Sequence, residues 1–190
     1  MKKKLFCSIC LIFALILPLA SCNLQGIGED SGSGQQSDPI PNGTEGWSFS
    51  LTFGTYGISS YDSATGKLVK TTDATHPEDY VTYLTLGTEE LTEIRDMLLT
   101  LDVGSYPDSY DPINDPNSEE RIMSEPSRTL ILSVDLAGVK KTVTCKNIAY
   151  TSSGYDEKSQ AFLDACRRIQ EIATSSEEWK ALPDYEFYYE

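Results

Sequence analysis

The sequence predicts an α+β fold, in which an antiparallel sheet made from two hairpin groups carries two helices on one face as a two-layer sandwich. Three observations lead there. Apolar and polar residues alternate with period two in short stretches before residue 86 and again between 129 and 147. An apolar stripe at helical spacing follows each strand group. The links within each group are short and rich in turn residues, which favours hairpins over parallel crossovers.

Trp47, Phe49, Leu51 and Phe53 alternate with Ser48, Ser50 and Thr52, the period of a half-buried strand. Tyr56 to Tyr61, a turn at Asp62-Ser63-Ala64-Thr65-Gly66, and Lys67 to Thr71 read as a hairpin. Tyr80 to Leu86 (YVTYLTL) is a further β-rich stretch. Gly87-Thr88-Glu89-Glu90 then opens a helix, with Thr88 as its cap and two acids at its positive end. Leu91, Ile94, Leu98 and Leu101 form its apolar stripe, and Val103-Gly104 is the expected stop.

Residues 105–127, with Pro107, Pro112, Pro116 and Pro126 among many acids, form a long connection. Loops beyond about 12–15 residues are uncommon unless they have a role of their own or lack order. Thr129 to Asp135, a turn at Leu136-Ala137-Gly138, and Lys140 to Asn147 give a second hairpin. A helix over Glu157 to Ala173 presents Phe162, Cys166, Ile169 and Ile172 on one face, and a short helical turn through Trp179 follows. Tyr185, Phe187 and Tyr189 alternate near the C-terminus, as in an edge strand.

Ahead of this domain, Lys2, Lys3 and Lys4 precede an apolar run from Leu5 to Leu19, and Leu19-Ala20-Ser21-Cys22 closes it. The run is shorter than the roughly 20 residues a spanning helix needs and has no basic flank after it. These 22 residues resemble a bacterial lipoprotein signal peptide with its lipobox. The resemblance implies removal of residues 1–21 by cleavage between Ser21 and Cys22. It further implies diacylglycerol on the Cys22 sulfur, with an N-acyl chain as a third lipid, palmitate being the usual kind of chain. The protein it implies is attached to the cell membrane on its extracytoplasmic side, in the cell envelope. The remainder is similar to small lipoproteins of Gram-positive type, a likeness that carries no residue role with it. Cys7 and Cys10 fall inside the leader and are not read as a metal or redox pair.

Residues 22–45 read as the acylated Cys22 plus a flexible tether, 23–45, rich in Gly, Ser, Gln, Pro and acid. A coil of that length spans on the order of 25 Å. One domain, 46–190, remains, long enough for a core of its own.

The chain has 15 Lys+Arg against 29 Asp+Glu. Loss of residues 1–21 removes three lysines and no acid, leaving 12 basic and 29 acidic residues, a net charge of −17. Nucleic acid is excluded as an expected partner, because neutralising phosphates takes clustered Lys/Arg. An anionic bilayer repels such a body, so the lipid has to supply membrane attachment.

Candidate sites in the body are few. Asp108, Asp111 and Asp115, with Asn114 and Asn117, offer hard oxygen ligands of the kind calcium takes. The EF-hand order is absent, and a solvated loop or a recognition surface fits the prolines better, so no metal is expected. Cys145 and Cys166 both fall on core-facing positions, compatible with two buried thiols or with a sheet-to-helix disulfide in an exported protein. The lone histidine, His76, sits in a turn-like stretch with no nucleophile motif beside it. Neither a phosphate-cradling glycine loop nor a His/Cys ligand cluster is present in the sequence. Tyr56, Tyr61, Tyr80 and Tyr83 are expected to pack on a sheet face, or else to form an exposed row for a glycan or peptide.

The expectation is a non-catalytic binding or interaction module with a protein, peptide or glycan partner and no cofactor. Two alternatives stand beside it: a hydrolase of cell-envelope material, and an inhibitor-like domain that blocks an exported enzyme with the 105–127 loop.

Overall fold

The computed structural model describes residues 46–112, 125–148 and 155–189. Its strands are β1 (Ser48–Phe53), β2 (Ser59–Asp62), β3 (Lys67–Val69), β4 (Val81–Tyr83), β5 (Ser109–Tyr110), β6 (Arg128–Leu136) and β7 (Val139–Ile148). The described helices are α1 (Thr88–Leu101), α2 (Glu157–Ser175) and the single turn α3 (Glu177–Lys180). The strands join one sheet in the order β4-β3-β2-β1-β6-β7-β5. Every pairing is antiparallel except β5 with β7. The α+β fold read from the sequence is therefore the fold observed.

Alternation sets which face is covered. Phe49, Leu51 and Phe53 of β1, Leu130, Leu132 and Val134 of β6, and Val143 and Cys145 of β7 are buried on one side. Ser48, Ser50, Thr52 and Ser133 take the other, partly solvated side. The buried side meets Leu91, Ile94 and Leu98 of α1 and Phe162, Cys166, Ile169 and Ile172 of α2 in one continuous core. Burying one such aliphatic or aromatic side chain is worth about 1.5–3 kcal/mol, so this seam supplies most of the drive to fold. On its outer rim Arg168 of α2 donates to both Glu93 carboxylate oxygens of α1, at 2.6 and 3.0 Å.

Several boundaries move, each for a local reason. The first helix is capped by Gly87 rather than Thr88, which is its first helical residue. Glycine has no side-chain acceptor, and the Glu90 carboxylate instead accepts from the Gly87 N–H at 2.8 Å. The helix stops at Asp102, which takes the left-handed conformation (φ 49°) just ahead of the expected stop at Val103-Gly104. A short polar side chain tolerates that region better than most. The second strand starts at Ser59 rather than Tyr56, because Tyr56 and Gly57 both have positive φ. A Cβ on Gly57 would lie 3.3 Å from the methyls of Thr52 and Thr129, so the loop crosses there only as glycine.

The 80–86 stretch is a strand only over β4, preceded by a 3₁₀ turn at Pro77–Tyr80. Leu84 and Leu86 then run buried into α1. The long connection carries a 3₁₀ turn at Val103–Ser105 and then β5, and its residues 113–124 lie outside the described residues. The C-terminal edge strand is not formed. Residues 181–189 have no strand pairing, and β4 and β5 are the edges of the sheet. Side chains satisfy this segment instead: Lys70 Nζ donates to the Leu182 carbonyl at 3.3 Å and the Tyr80 hydroxyl to the Asp184 carbonyl at 3.0 Å.

Candidate functional site

Four of the seven exposed large hydrophobic residues among the described residues lie close together. Tyr56, Phe187, Tyr188 and Tyr189 are 46, 50, 71 and 40 % exposed. A small globular domain rarely leaves that much ring surface together without a use for it. The C-terminal segment sets them there by extending the helical layer over the ends of β1 and β2. Trp179 of α3 packs on Phe53 with ring centroids 5.9 Å apart. Beyond it, Lys70 Nζ lies 5.8 Å from the Trp179 ring and 5.3 Å from the Tyr185 ring.

The rings enclose a groove of about 330 Å³. Tyr185, Phe187, Tyr188 and Tyr189 make one wall. The loop Gly54-Thr55 and Ile58-Ser59 make the other, with Arg128 from the start of β6. Ser59 is itself buried and donates to the Lys70 carbonyl at 2.6 Å. Burial beside it pushes the Tyr185 phenol up, and the nearby Ser59 hydroxyl partly offsets this. Tyr185 and Tyr188 stand edge to face at 6.2 Å, and Tyr56 and Tyr189 at 5.0 Å, the geometry aromatic pairs prefer.

Three nearby carboxylates are each hydrogen-bonded. Tyr189 donates to Asp73 and Tyr56 to Glu125. Glu186 accepts from the Thr75 N–H at 3.0 Å and the Thr75 hydroxyl at 2.8 Å. Those bonds, the Thr75 N–H foremost, hold its carboxyl below the usual range. Arg128 is the charged side chain among the described residues that line the groove.

The residues singled out in the sequence are dispersed. Cys22 and Ser21 lie outside the described residues, as does Asp115. Asp108 pairs with Lys141 at 2.5 Å, and Asp111 is exposed at the end of β5. No group of three or more His, Cys, Asp or Glu among the described residues is placed to hold a metal ion. Cys145 and Cys166 are both free thiols at 0 % exposure in the shared core. Burial raises the Cys145 thiol to about 12 and the Cys166 thiol well above its ordinary value. His76 sits on the surface, 3.5 Å from Glu78.

The four strand tyrosines form no row. Tyr61 and Tyr80 are buried while Tyr56 and Tyr83 are exposed on different loops and edges. The aromatic surface lies instead at the C-terminus, where four rings fall within five residues, a density that strand alternation does not explain. Among the described residues no helix is long and apolar enough to cross a membrane. No family model, no curated protein and no solved structure matches this chain.

Proposed function

We propose that this protein is a lipid-anchored, extracytoplasmic binding module whose ligand sits in the C-terminal aromatic groove. Cys22 carries the acyl chains, residues 23–45 tether the body, and the groove does the recognising. The observation that carries the binding role is the set of Phe187, Tyr188 and Tyr189 rings left exposed around a concavity. Concave sites with aromatic walls and a few polar groups are the usual form of small-ligand sites. The lipobox residues carry the anchoring. Two or three acyl chains on one cysteine hold far more firmly than a single chain, whose binding is marginal.

The test has two arms. Cys22→Ser should move the protein from the membrane fraction to the soluble one and abolish labelling by radioactive palmitate; retention with label would sink the anchor. On glycan and peptide arrays the chain should give a signal that Tyr188→Ala removes at unchanged thermal midpoint. An array blank for both proteins would sink the binding role.

A further inference from the structure

We propose that the groove takes a quaternary ammonium cation, a trimethylammonium head of the choline kind, held among the C-terminal rings. The inference rests on the binding-module reading and names its ligand class.

Most polar groups of the groove are already engaged. Ser59 donates its hydroxyl to the Lys70 carbonyl at 2.6 Å, and Tyr189 donates its own to Asp73. Thr55 and Arg128 each have partners within the protein. A ligand dense in hydroxyls, or one that needs a guanidinium, would give up its bonds to water and recover few here. A trimethylammonium head carries no N–H or O–H and asks for none. Its methyl groups spread the charge and keep water at a distance, so leaving water costs it less than it costs an ammonium.

The rings stand at steep angles to one another. Tyr185 and Tyr188 are inclined at 66° with centroids 6.2 Å apart, and Tyr189 meets Tyr56 at 88° and 5.0 Å. Rings set this way form the corners of a box, not the flat platform on which a sugar ring stacks. An aromatic face is negative, so a cation within about 6 Å of a centroid is drawn to it. The fold already uses that attraction at this spot, where Lys70 Nζ lies 5.3 Å from the Tyr185 centroid. Phe187, Tyr188 and Tyr189 line the same groove and remain exposed to meet a second cation. At about 330 Å³ the groove is near the small end of ligand sites, which suits a compact head.

Charge points the same way. Tyr189 and Tyr56 donate to Asp73 and Glu125, and the Thr75 N–H and hydroxyl donate to Glu186, the neighbour of Tyr185 in the chain. Those donors are neutral and leave the carboxylates their charge. A phenol bonded to a carboxylate is polarised by it, which makes its ring more electron-rich and its pull on a cation stronger. Three carboxylates thus stand against the two cations Lys70 and Arg128, on a chain with 29 acidic residues against 15 basic ones. Such a body draws small cations in and turns anions away.

The probes are choline and neohexyl alcohol, which has the same shape with a carbon in place of the nitrogen and no charge. Each is titrated calorimetrically into the full chain in a non-ionic detergent. Choline is expected to bind at least about 10-fold more tightly than the alcohol. Tyr188→Phe should keep that ratio, and Tyr188→Leu, apolar but without a ring, should lower it at least about 3-fold. The thermal midpoint of each variant should match the parent. On the glycan arrays the signal should fall on members that carry a choline head. Equal binding of choline and neohexyl alcohol would overturn the cation assignment and leave an apolar-ligand groove. Array signal on members without choline, with choline itself silent, would overturn it and keep the binding module. Silence of choline together with blank arrays would overturn both readings.

Discussion

Lys70 and Tyr185, 115 positions apart, meet with the lysine nitrogen 5.3 Å from the ring centre. Lys70 is only 7 % exposed, follows β3 directly, and also donates to the Leu182 carbonyl. A long flexible cation is fixed between two rings, Trp179 and Tyr185, and a backbone acceptor. That contact fastens the segment that makes the aromatic wall.

Lys70→Met keeps the aliphatic stem and removes the charge and the donor. A desolvated cation–π contact and one hydrogen bond together amount to about 2 kcal/mol. The variant should lose roughly that much in urea denaturation and should weaken any ligand of the groove. A variant as stable as the parent would mean the segment is held without the lysine.

The second latch is acidic. The Glu186 carboxyl is held below its ordinary value of 4.5 by the Thr75 N–H and hydroxyl. A carboxyl lowered in the folded state adds stability that is present above the unfolded value and is lost as pH falls through the folded one. Loosening of the C-terminal segment is therefore expected below about pH 4.5. Fluorescence of Trp179 followed against pH should show a step there that Glu186→Gln lacks; identical curves would remove Glu186 as the latch.

Cys145 and Cys166 should behave as inert core thiols. The thiolate is the reactive form, and burial raises both thiols far above neutrality. Iodoacetamide at neutral pH should leave both unmodified in the native protein and alkylate both in denaturant, read peptide by peptide in a mass spectrometer. A bridged peptide pair before any reductant would replace free thiols by a disulfide.

The β6–β7 turn carries a stabilising substitution. Ala137 and Gly138 both have positive φ, at 52° and 80°, as a two-residue hairpin turn of the primed type requires. Alanine is strained there by about 1–2 kcal/mol, whereas asparagine visits that region routinely. Ala137→Asn should raise the thermal midpoint by a few degrees, on the order of 2–4 °C per kcal/mol for a domain of this size. A fall in the midpoint would show that Ala137 is held by something other than the turn.

Secondary structure was largely legible in the residues because burial has a period. Phe49, Leu51 and Phe53 can face one core only from a strand, and Phe162, Cys166, Ile169 and Ile172 only from a helix. What the pattern misled on is Tyr185, Phe187 and Tyr189, whose alternation mimics a strand. Period two says that side chains alternate, not that a neighbour is there to bond the backbone. For residues 182 and 184 the bonds go to Lys70 and Tyr80 instead.

By itself the sequence determined the α+β class, the order of the two hairpin groups and the two helices, and the acidic charge, since each is written in composition or local spacing. Tertiary structure alone decided that the strand tyrosines scatter and that Arg128 lines the same groove as the C-terminal rings. It also decided that Asp73, Glu125 and Glu186 bond to two tyrosines and a threonine. Those facts depend on chain segments separated by 57 residues or more between Arg128 and Tyr185, and no local pattern carries the geometry of so distant a contact.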